Sequence, residues 1–347
     1  MEKQRNLSIE LLRIISMFLI VLHHSVYHGY LKNPTHLSHE ALTSVVGCLG
    51  AGGKIGVYIF IIISGYFLIQ SDKWRFKKIM LLYCEVWFYS IAALIFNAMF
   101  HVTHISFKSF ITSIFPIMFG NYWFMTTYMI LMLFIPFINR CIQTLTKKQF
   151  QWLLCLLVVF SILIPTIPHT KVCENDLSLF ITLYLTGGYF KKYPLEIGRE
   201  EQLKRSLVGL LLSTLLLFAT VSLLAFRHKS NVLMLAGNYS IFIYLVSICL
   251  FNVFANLNIH RGKKLILSLS SATLGVYLIH DNFVIRKFLW VKTLHLTKGG
   301  LHWSVIIKIL VATVIIYLVC TLIDLCRQWV VKQGRRLYLM TKEKQAS

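Results

Sequence analysis

Long apolar runs recur along the chain, and they decide what it can fold into. A helix needs about 20 mostly apolar residues to cross the hydrocarbon core of a bilayer. About ten stretches qualify, at 8–30, 55–71, 79–100, 121–140, 149–166, 177–191, 206–226, 232–257, 265–286 and 303–326. The sixth is short, and a further apolar stretch at 105–119 reads as a re-entrant or interfacial segment. The chain is 57% hydrophobic and 14% charged, whereas a soluble domain carries roughly 25% charged residues. A soluble globular protein is therefore excluded. The expected fold is all-α, a polytopic membrane helix bundle of about ten transmembrane helices. One membrane domain is expected over 1–326, with a basic cytoplasmic tail over 327–347.

The formal net charge of +22, from 35 Lys and Arg against 13 Asp and Glu, would ordinarily raise nucleic acid as a partner. On so apolar a chain it reads instead as topology. Short cytoplasmic loops are enriched in Lys and Arg. With the N-terminus inside, 23 basic residues fall in inner segments and 10 in outer ones, while Arg13 and Lys308 fall within spans. Lys54 is counted among the outer residues. Both termini are thus expected in the cytoplasm. The first apolar run is too long for a secretory signal and contains Arg13, so it should stay in the mature protein. Of the 8 cysteines, only Cys173 falls clearly in an outer loop, and no CxxC pattern, internal repeat or GxxxxGK loop is visible.

Ionisable groups at membrane depth are costly, and they point to function. The first span holds Glu10, Arg13, His23 and His24, with His28 at its outer end. Arg13 and His24 are 11 residues apart, or three turns plus about 20°, so they share a face about 16 Å apart along the axis. Glu10 lies one turn below Arg13 and can pair with it. Standing alone, that pair would be nearly as well explained as a structural ion pair. His23 points about 100° from His24, so only one of the two is expected on the Arg13 face. His28, His36 and His39 read as interfacial or loop residues. Their spacing admits a metal, but no Cys or carboxylate cluster supports one, and no metal is expected.

The ninth span ends in Gly275-Val276-Tyr277-Leu278-Ile279-His280-Asp281. Counted from the inner edge, His280 is about 22 Å deep and His24 about 24 Å. Two histidines and a carboxylate thus reach a similar depth and could form a base with an orienting acid, provided the two helices touch. Elsewhere in the apolar runs, Glu85 and Asp324 are isolated acids. Gly56, Ser64 and Gly65 suit close helix packing, and Tyr122 and Trp123 suit an interfacial aromatic belt.

Taken in order, these residues resemble the acyltransferase-3 family of membrane acyltransferases. Arg13, ten residues and then His24, with Glu10 before the Arg, looks like its first-helix signature. Val57-Tyr58-Ile59-Phe60-Ile61-Ile62-Ile63-Ser64-Gly65-Tyr66, the basic loop with Arg75, Lys77 and Lys78, Tyr122-Trp123-Phe124, and Leu274 to His280 are similar to its later motifs, and the likeness covers 5–285. It implies a bacterial cell-envelope enzyme of about ten helices. Such an enzyme moves an acyl group, most simply acetyl, from cytoplasmic acyl-CoA to a hydroxyl of an extracytoplasmic or lipid-linked glycan. Arg13 and His24 inherit the family's essential Arg and His. The implied donor is acetyl-CoA or another acyl-CoA, with no permanently bound cofactor. The implied partners are the glycan or lipid-linked sugar and membrane lipids, with homodimerisation left open. Two departures stand out: Asp281 where many relatives have Pro, and a single Arg in the loop 72–80. About 20 residues follow Asp324, so the chain is expected to deliver the acyl group itself, without the extra soluble domain of larger relatives.

In the expected mechanism, Arg75, Lys77 and Lys78 hold the CoA phosphates at the inner mouth. A pantetheine arm of about 15–20 Å threads past Arg13, Ser64 and Tyr66 toward His24. His24 acts as general base, oriented by Asp281 or His280, and Tyr122 and Trp123 line the acceptor entrance. A covalent acyl-His is the alternative chemistry. The competing class is a transporter or flippase of a lipid-linked saccharide, which also predicts ten helices with midmembrane charges. Against it, the two halves of the sequence show no repeat.

Overall fold

The computed structural model describes residues 5–31, 39–170, 172, 174–229, 231–294, 296 and 302–346. His36, Cys173, Lys32, Lys171 and Lys298 lie outside these residues. Among the described residues every regular element is helical. Helix α1 (Leu7–Val26) ends in a π-helical turn, Tyr27–Leu31. It is followed by α2 (Glu40–Leu68), α3 (Phe76–Phe100), the short α4 (Phe107–Ile114), α5 (Trp123–Thr144) and α6 (Lys147–Thr166). Next come α7 (Asp176–Lys192), α8 (Arg199–Phe226), α9 (Ile241–Asn256), α10 (Lys263–Ser271) and α11 (Thr273–His280). The chain ends with α12 (Phe283–Arg286), which runs on to Thr293 as a π-helix, and the 43-residue α13 (Ser304–Ala346).

Among the described residues, seven helices are long and apolar enough to cross a membrane: α1 with its π-turn, α2, α3, α5, α6, α8 and α13. The other stretches read as spans take different forms. Helices α7 and α9 have 17 and 16 residues, or roughly 24–26 Å at 1.5 Å per residue, short of a hydrocarbon core about 30 Å thick. The stretch 265–286 is divided at Ala272 and again at 281–282, into α10, α11 and α12. The last helix does not stop at 326 but continues unbroken through the basic tail.

Local signals fix several ends. Asn6 caps α1, its side chain accepting from the Ser8 and Ile9 amides at 3.0 and 3.3 Å. Thr146 and Gln149 form a reciprocal capping box on α6. At the far end of α2, the Asn139 amide donates to the Leu68 and Ser71 carbonyls at 2.7 and 2.6 Å and accepts from Tyr184 Oη at 2.8 Å. One buried side chain thereby ties α2, α5 and α7 together.

Helix α2, expected only from residue 55, begins at Glu40. The Gly-rich stretch before 55 lowers hydropathy and helix propensity, yet it lets α2 lie close along α1. A Cβ at Gly50 would meet Val26, at Gly52 Leu19, at Gly53 His23, and at Gly56 the Ser16 carbonyl. The crossing of α2 and α7 is closer still. Gly65 abuts the Tyr184 backbone and Gly187 abuts the Ile62 backbone, so neither position has room for a methyl group. Small residues at such contacts are how helices approach within a membrane.

The third support is polar and joins α13 to α3. Asp324, fully buried, accepts from Tyr89 Oη at 2.6 Å, Arg327 Nε at 2.8 Å and Gln328 Nε2 at 2.6 Å. Arg327 also reaches Glu85 at 2.7 Å. The isolated acids Glu85 and Asp324 thus share one arginine. Gly275 of α11 packs directly on the Asp324 carboxyl, so this network also sets where α11 lies.

Candidate active site

A cavity of about 190 Å³ lies between α1, α2, α3, α5 and α11. Arg13, Met17, Ile20, His23 and His24 of α1 form one wall, so the 11-residue spacing does place Arg13 and His24 on one lined path. The expectation that only one histidine would face it is overturned, because His23 borders the cavity from the flank as well. His23 Nδ1 lies 2.6 Å from the Gly50 carbonyl and donates to it.

At the α1 N-terminal end, the lining is cationic. Arg13 Nη1 is 3.8 Å from Glu10 Oε2, an ion pair beyond hydrogen-bond length. Arg13 Nε is buried with no hydrogen-bond partner; so is Nε of Arg75, which lies outside the lining. Lys78 lines the cavity within electrostatic reach of both arginines. Arg75 also donates to Ser71 Oγ at 3.3 Å. Lys77, one residue away, is exposed and does not line the cavity.

Toward the end of α1, two helices from opposite ends of the sequence meet. His24 Nδ1 and His280 Nε2 are 2.9 Å apart, and His280 Nδ1 is 2.5 Å from the Val276 carbonyl. A carbonyl can only accept, so His280 Nδ1 carries a hydrogen. In a neutral His280, Nε2 is then the acceptor, and His24 Nδ1 must donate to it. His24 Nε2 is left with a free lone pair. Asp281 Oδ1 stands 3.5 Å from that nitrogen and also faces Arg286 Nη1 at 3.4 Å. His280 is fully buried and Asp281 nearly so. Such a chain of ring nitrogens can accept a proton at Nε2 and hold the resulting cation beside a carboxylate.

The other residues singled out in the sequence divide into two groups. Ser64 lines the cavity, with its hydroxyl 3.1 Å from Tyr128 Oη, and Trp123 lines it too. Tyr66 does not. Its ring packs on Phe251 at 5.4 Å and under Lys191 Nζ at 5.1 Å, turned toward α7 and α9. Tyr122 is fully buried outside the lining. Its hydroxyl donates to the Leu278 carbonyl at 3.0 Å and accepts from Asn282 at 2.8 Å. Tyr122 therefore pins the end of α11 instead of forming an entrance. His28 stacks on Trp290 with ring centroids 6.4 Å apart, and His39 precedes α2 without capping it. Among the described residues, no three His, Cys, Asp or Glu side chains come together as metal ligands.

Sequence reasoning missed Lys54. Counted as an outer-loop residue, it sits inside α2, lines the cavity and holds its ammonium 5.5 Å over the Trp123 ring. The available signal was its isolation, since it is the only charged residue between 41 and 71.

Residues 6–325 match the family model Acyl_transf_3, described as an acyltransferase domain. Comparison with curated proteins and with solved structures finds no match. The matched range takes in every helix that borders the cavity, and on that coverage the chain belongs to the acyltransferase-3 family of membrane acyltransferases.

Proposed function

We propose that the protein is a multi-pass enzyme of the plasma membrane that transfers an acetyl group from cytoplasmic acetyl-CoA to a hydroxyl of an extracytoplasmic or lipid-linked glycan. The observation that carries the reading is the single cavity running from the Arg13 and Lys78 cations to His24 Nε2. An anionic cofactor can rest at one end while its thioester reaches the other. In this reading the short α7, the short α9 and the interrupted α10–α11 pair complete about ten membrane-embedded segments. The excess of Lys and Arg beside the α1 N-terminus, in the 72–78 loop and in the tail after 326 supports the reading that both termini are cytoplasmic.

The chemistry follows from the nitrogen chain. The acceptor hydroxyl gives its proton to His24 Nε2 as its oxygen bonds to the thioester carbon. The imidazolium is held between His280, which accepts from Nδ1, and Asp281, which faces Nε2. Collapse of the tetrahedral intermediate expels the CoA thiolate, which takes the proton back from His24. Arg13 and Lys78 meet the phosphate charges at the other end of the cavity from His24. A positioned general base contributes about 10²–10⁴-fold.

The test uses purified protein in lipid nanodiscs with acetyl-labelled acetyl-CoA. Loss of label from CoA, to water or to an added glycan fraction, is expected for the wild-type protein and not for His24→Ala. A wild-type protein that binds no acetyl-CoA and releases no label would overturn the proposal. Mass analysis of envelope glycans from cells lacking the protein should show the loss of an ester mass, which identifies both acyl group and acceptor.

A further inference from the structure

A base and a cofactor mouth do not complete a site for acyl transfer. When the acceptor oxygen adds to the thioester, the carbonyl oxygen takes a full negative charge. Removing one donor aimed at that oxygen typically costs about 10²–10³ in rate. Backbone N–H groups in a helix interior cannot supply the donors, because they are already bonded to carbonyls within their own helices; only first-turn amides, such as those of Trp123, Phe124 and Met125 in α5, lack such a partner. The other source of donors is the side chains of the cavity wall beside His24.

Two stand out. Lys54 of α2 lines the cavity within electrostatic reach of His23, His24 and Asp281. Its position follows from packing, since Gly53 is pressed against the Cβ of His23, and the next residue along α2 is thereby held beside the paired histidines. No carboxylate lies within ion-pair distance of its ammonium among the described residues, and its one close partner is the face of Trp123 at 5.5 Å. A lysine in a spanning helix is costly unless something compensates it, and the Trp123 face compensates a cation without occupying its N–H donors. The second is Tyr277 of α11, three residues before His280. Its side chain lines the same cavity, and its buried hydroxyl faces Asp281 without closing a hydrogen bond of good geometry. Two donors with no fixed acceptor thus border the place where the thioester must lie.

We propose that Lys54 and the Tyr277 hydroxyl stabilise the oxyanion formed when the acceptor attacks the acyl carbonyl, with Trp123 holding the Lys54 ammonium in place. The assignment rests on the acyl-transfer reading and specifies its electrostatics. As the acceptor oxygen–carbon bond forms, the carbonyl π electrons move to oxygen, where Lys54 and Tyr277 donate to it. They return as the carbon–sulfur bond breaks. Neither residue gains or loses a proton over the cycle, and the transferred proton travels by His24 alone.

The test compares Lys54→Met, Lys54→Arg and Tyr277→Phe with wild type and His24→Ala, using turnover of labelled acetyl-CoA and its equilibrium binding in nanodiscs. Lys54→Met should lower kcat about 10²–10³-fold while acetyl-CoA binding stays within about threefold. Tyr277→Phe should lower kcat about tenfold or more in the same pattern, and Lys54→Arg should recover part of the lost rate. Size-exclusion profiles that match wild type establish that the variants are folded, and recovery in Lys54→Arg covers the case where Lys54→Met is not. Turnover abolished by His24→Ala but kept within threefold by Lys54→Met would overturn this assignment and leave acyl transfer intact. So would a Lys54→Met defect confined to acetyl-CoA binding. A wild-type protein without turnover would overturn both.

Discussion

His24 Nδ1 and His280 Nε2 stand 2.9 Å apart although 256 residues separate them in the chain. This contact joins the first helix to α11, and the Val276 carbonyl behind His280 fixes which nitrogen of each ring carries hydrogen. The lone pair at His24 Nε2 exists because His280 accepts from Nδ1. His280 is therefore expected to be a positioning residue, not the base itself. His280→Ala should lower kcat about 10²-fold or more, the loss expected when a general base is no longer held in its working tautomer. His280→Gln, whose side-chain oxygen can accept from His24 Nδ1, should retain more activity than His280→Ala. Equal loss in both variants would show that the tautomer is set in another way.

Asp281 is expected to act later, when His24 carries the proton. Its Oδ1 is 3.5 Å from His24 Nε2, and it can strengthen that contact only once the ring is charged. Asp281→Asn keeps the shape and removes the charge, so kcat should fall about 10–100-fold, the equivalent of about 1.5–3 kcal/mol for a contact to a charged group. Acetyl-CoA binding should not change. Steady-state kinetics measured beside equilibrium binding checks the split, and a change in binding alone would count against the role. Arg286 also faces Asp281, so Arg286→Gln is expected to have a smaller effect in the same direction.

How far the sequence disclosed this arrangement depends on which periodicity governed each residue. Arg13 and His24 were legible because helical rotation alone puts them on one face. The depths of His24 and His280 could be matched by counting residues, but not the contact, which tertiary packing decides. Lys54 was hidden because hydropathy penalises glycine and lysine, so α2 read as beginning at 55. The same glycines in fact allow α2 to start at Glu40 and lie against α1. Tyr122 fitted the pattern of an interfacial aromatic, yet its hydroxyl is spent on Leu278 and Asn282. Tyr66 follows Ser64 by two residues and so turns to another face of α2, toward Phe251.

The neighbours Lys77 and Lys78 offer a contrast at the cofactor mouth. Only Lys78 lines the cavity, with Arg13 beside it. Lys78→Ala and Arg13→Gln should each weaken acetyl-CoA binding about 5–20-fold, in line with loss of roughly 1–2 kcal/mol from a charge-assisted contact to phosphate. Lys77→Ala should change binding less than twofold. Raising salt should weaken wild-type binding and have less effect on Lys78→Ala, because one screened contact is already gone. Equal effects at both lysines would place the phosphates outside this mouth.

The buried network on α13 should matter to catalysis although none of its members lines the cavity. Asp324 takes hydrogen bonds from Tyr89, Arg327 and Gln328, and Gly275 of the helix that carries His280 rests on its carboxyl. Asp324→Ala leaves Arg327 with Glu85 as its one carboxylate, beside the Tyr89 hydroxyl, and should cost about 3–5 kcal/mol, the range for breaking one partner of a buried ion pair. Tyr89→Phe removes one hydroxyl, which donates to Asp324 and accepts from Arg327 Nε, and should cost about 1–3 kcal/mol. Gly275→Ala approaches the same contact from the other side. Its methyl would enter the space of the Asp324 carboxyl, and the adjustment should cost about 1–3 kcal/mol by overpacking. All three variants should lower the melting temperature in nanodiscs, Asp324→Ala the most. Because α11 must shift to admit the methyl, Gly275→Ala should also lower kcat more than Tyr89→Phe. A Gly275→Ala protein with wild-type kcat and a lowered melting temperature would show that His280 does not depend on this contact for its position.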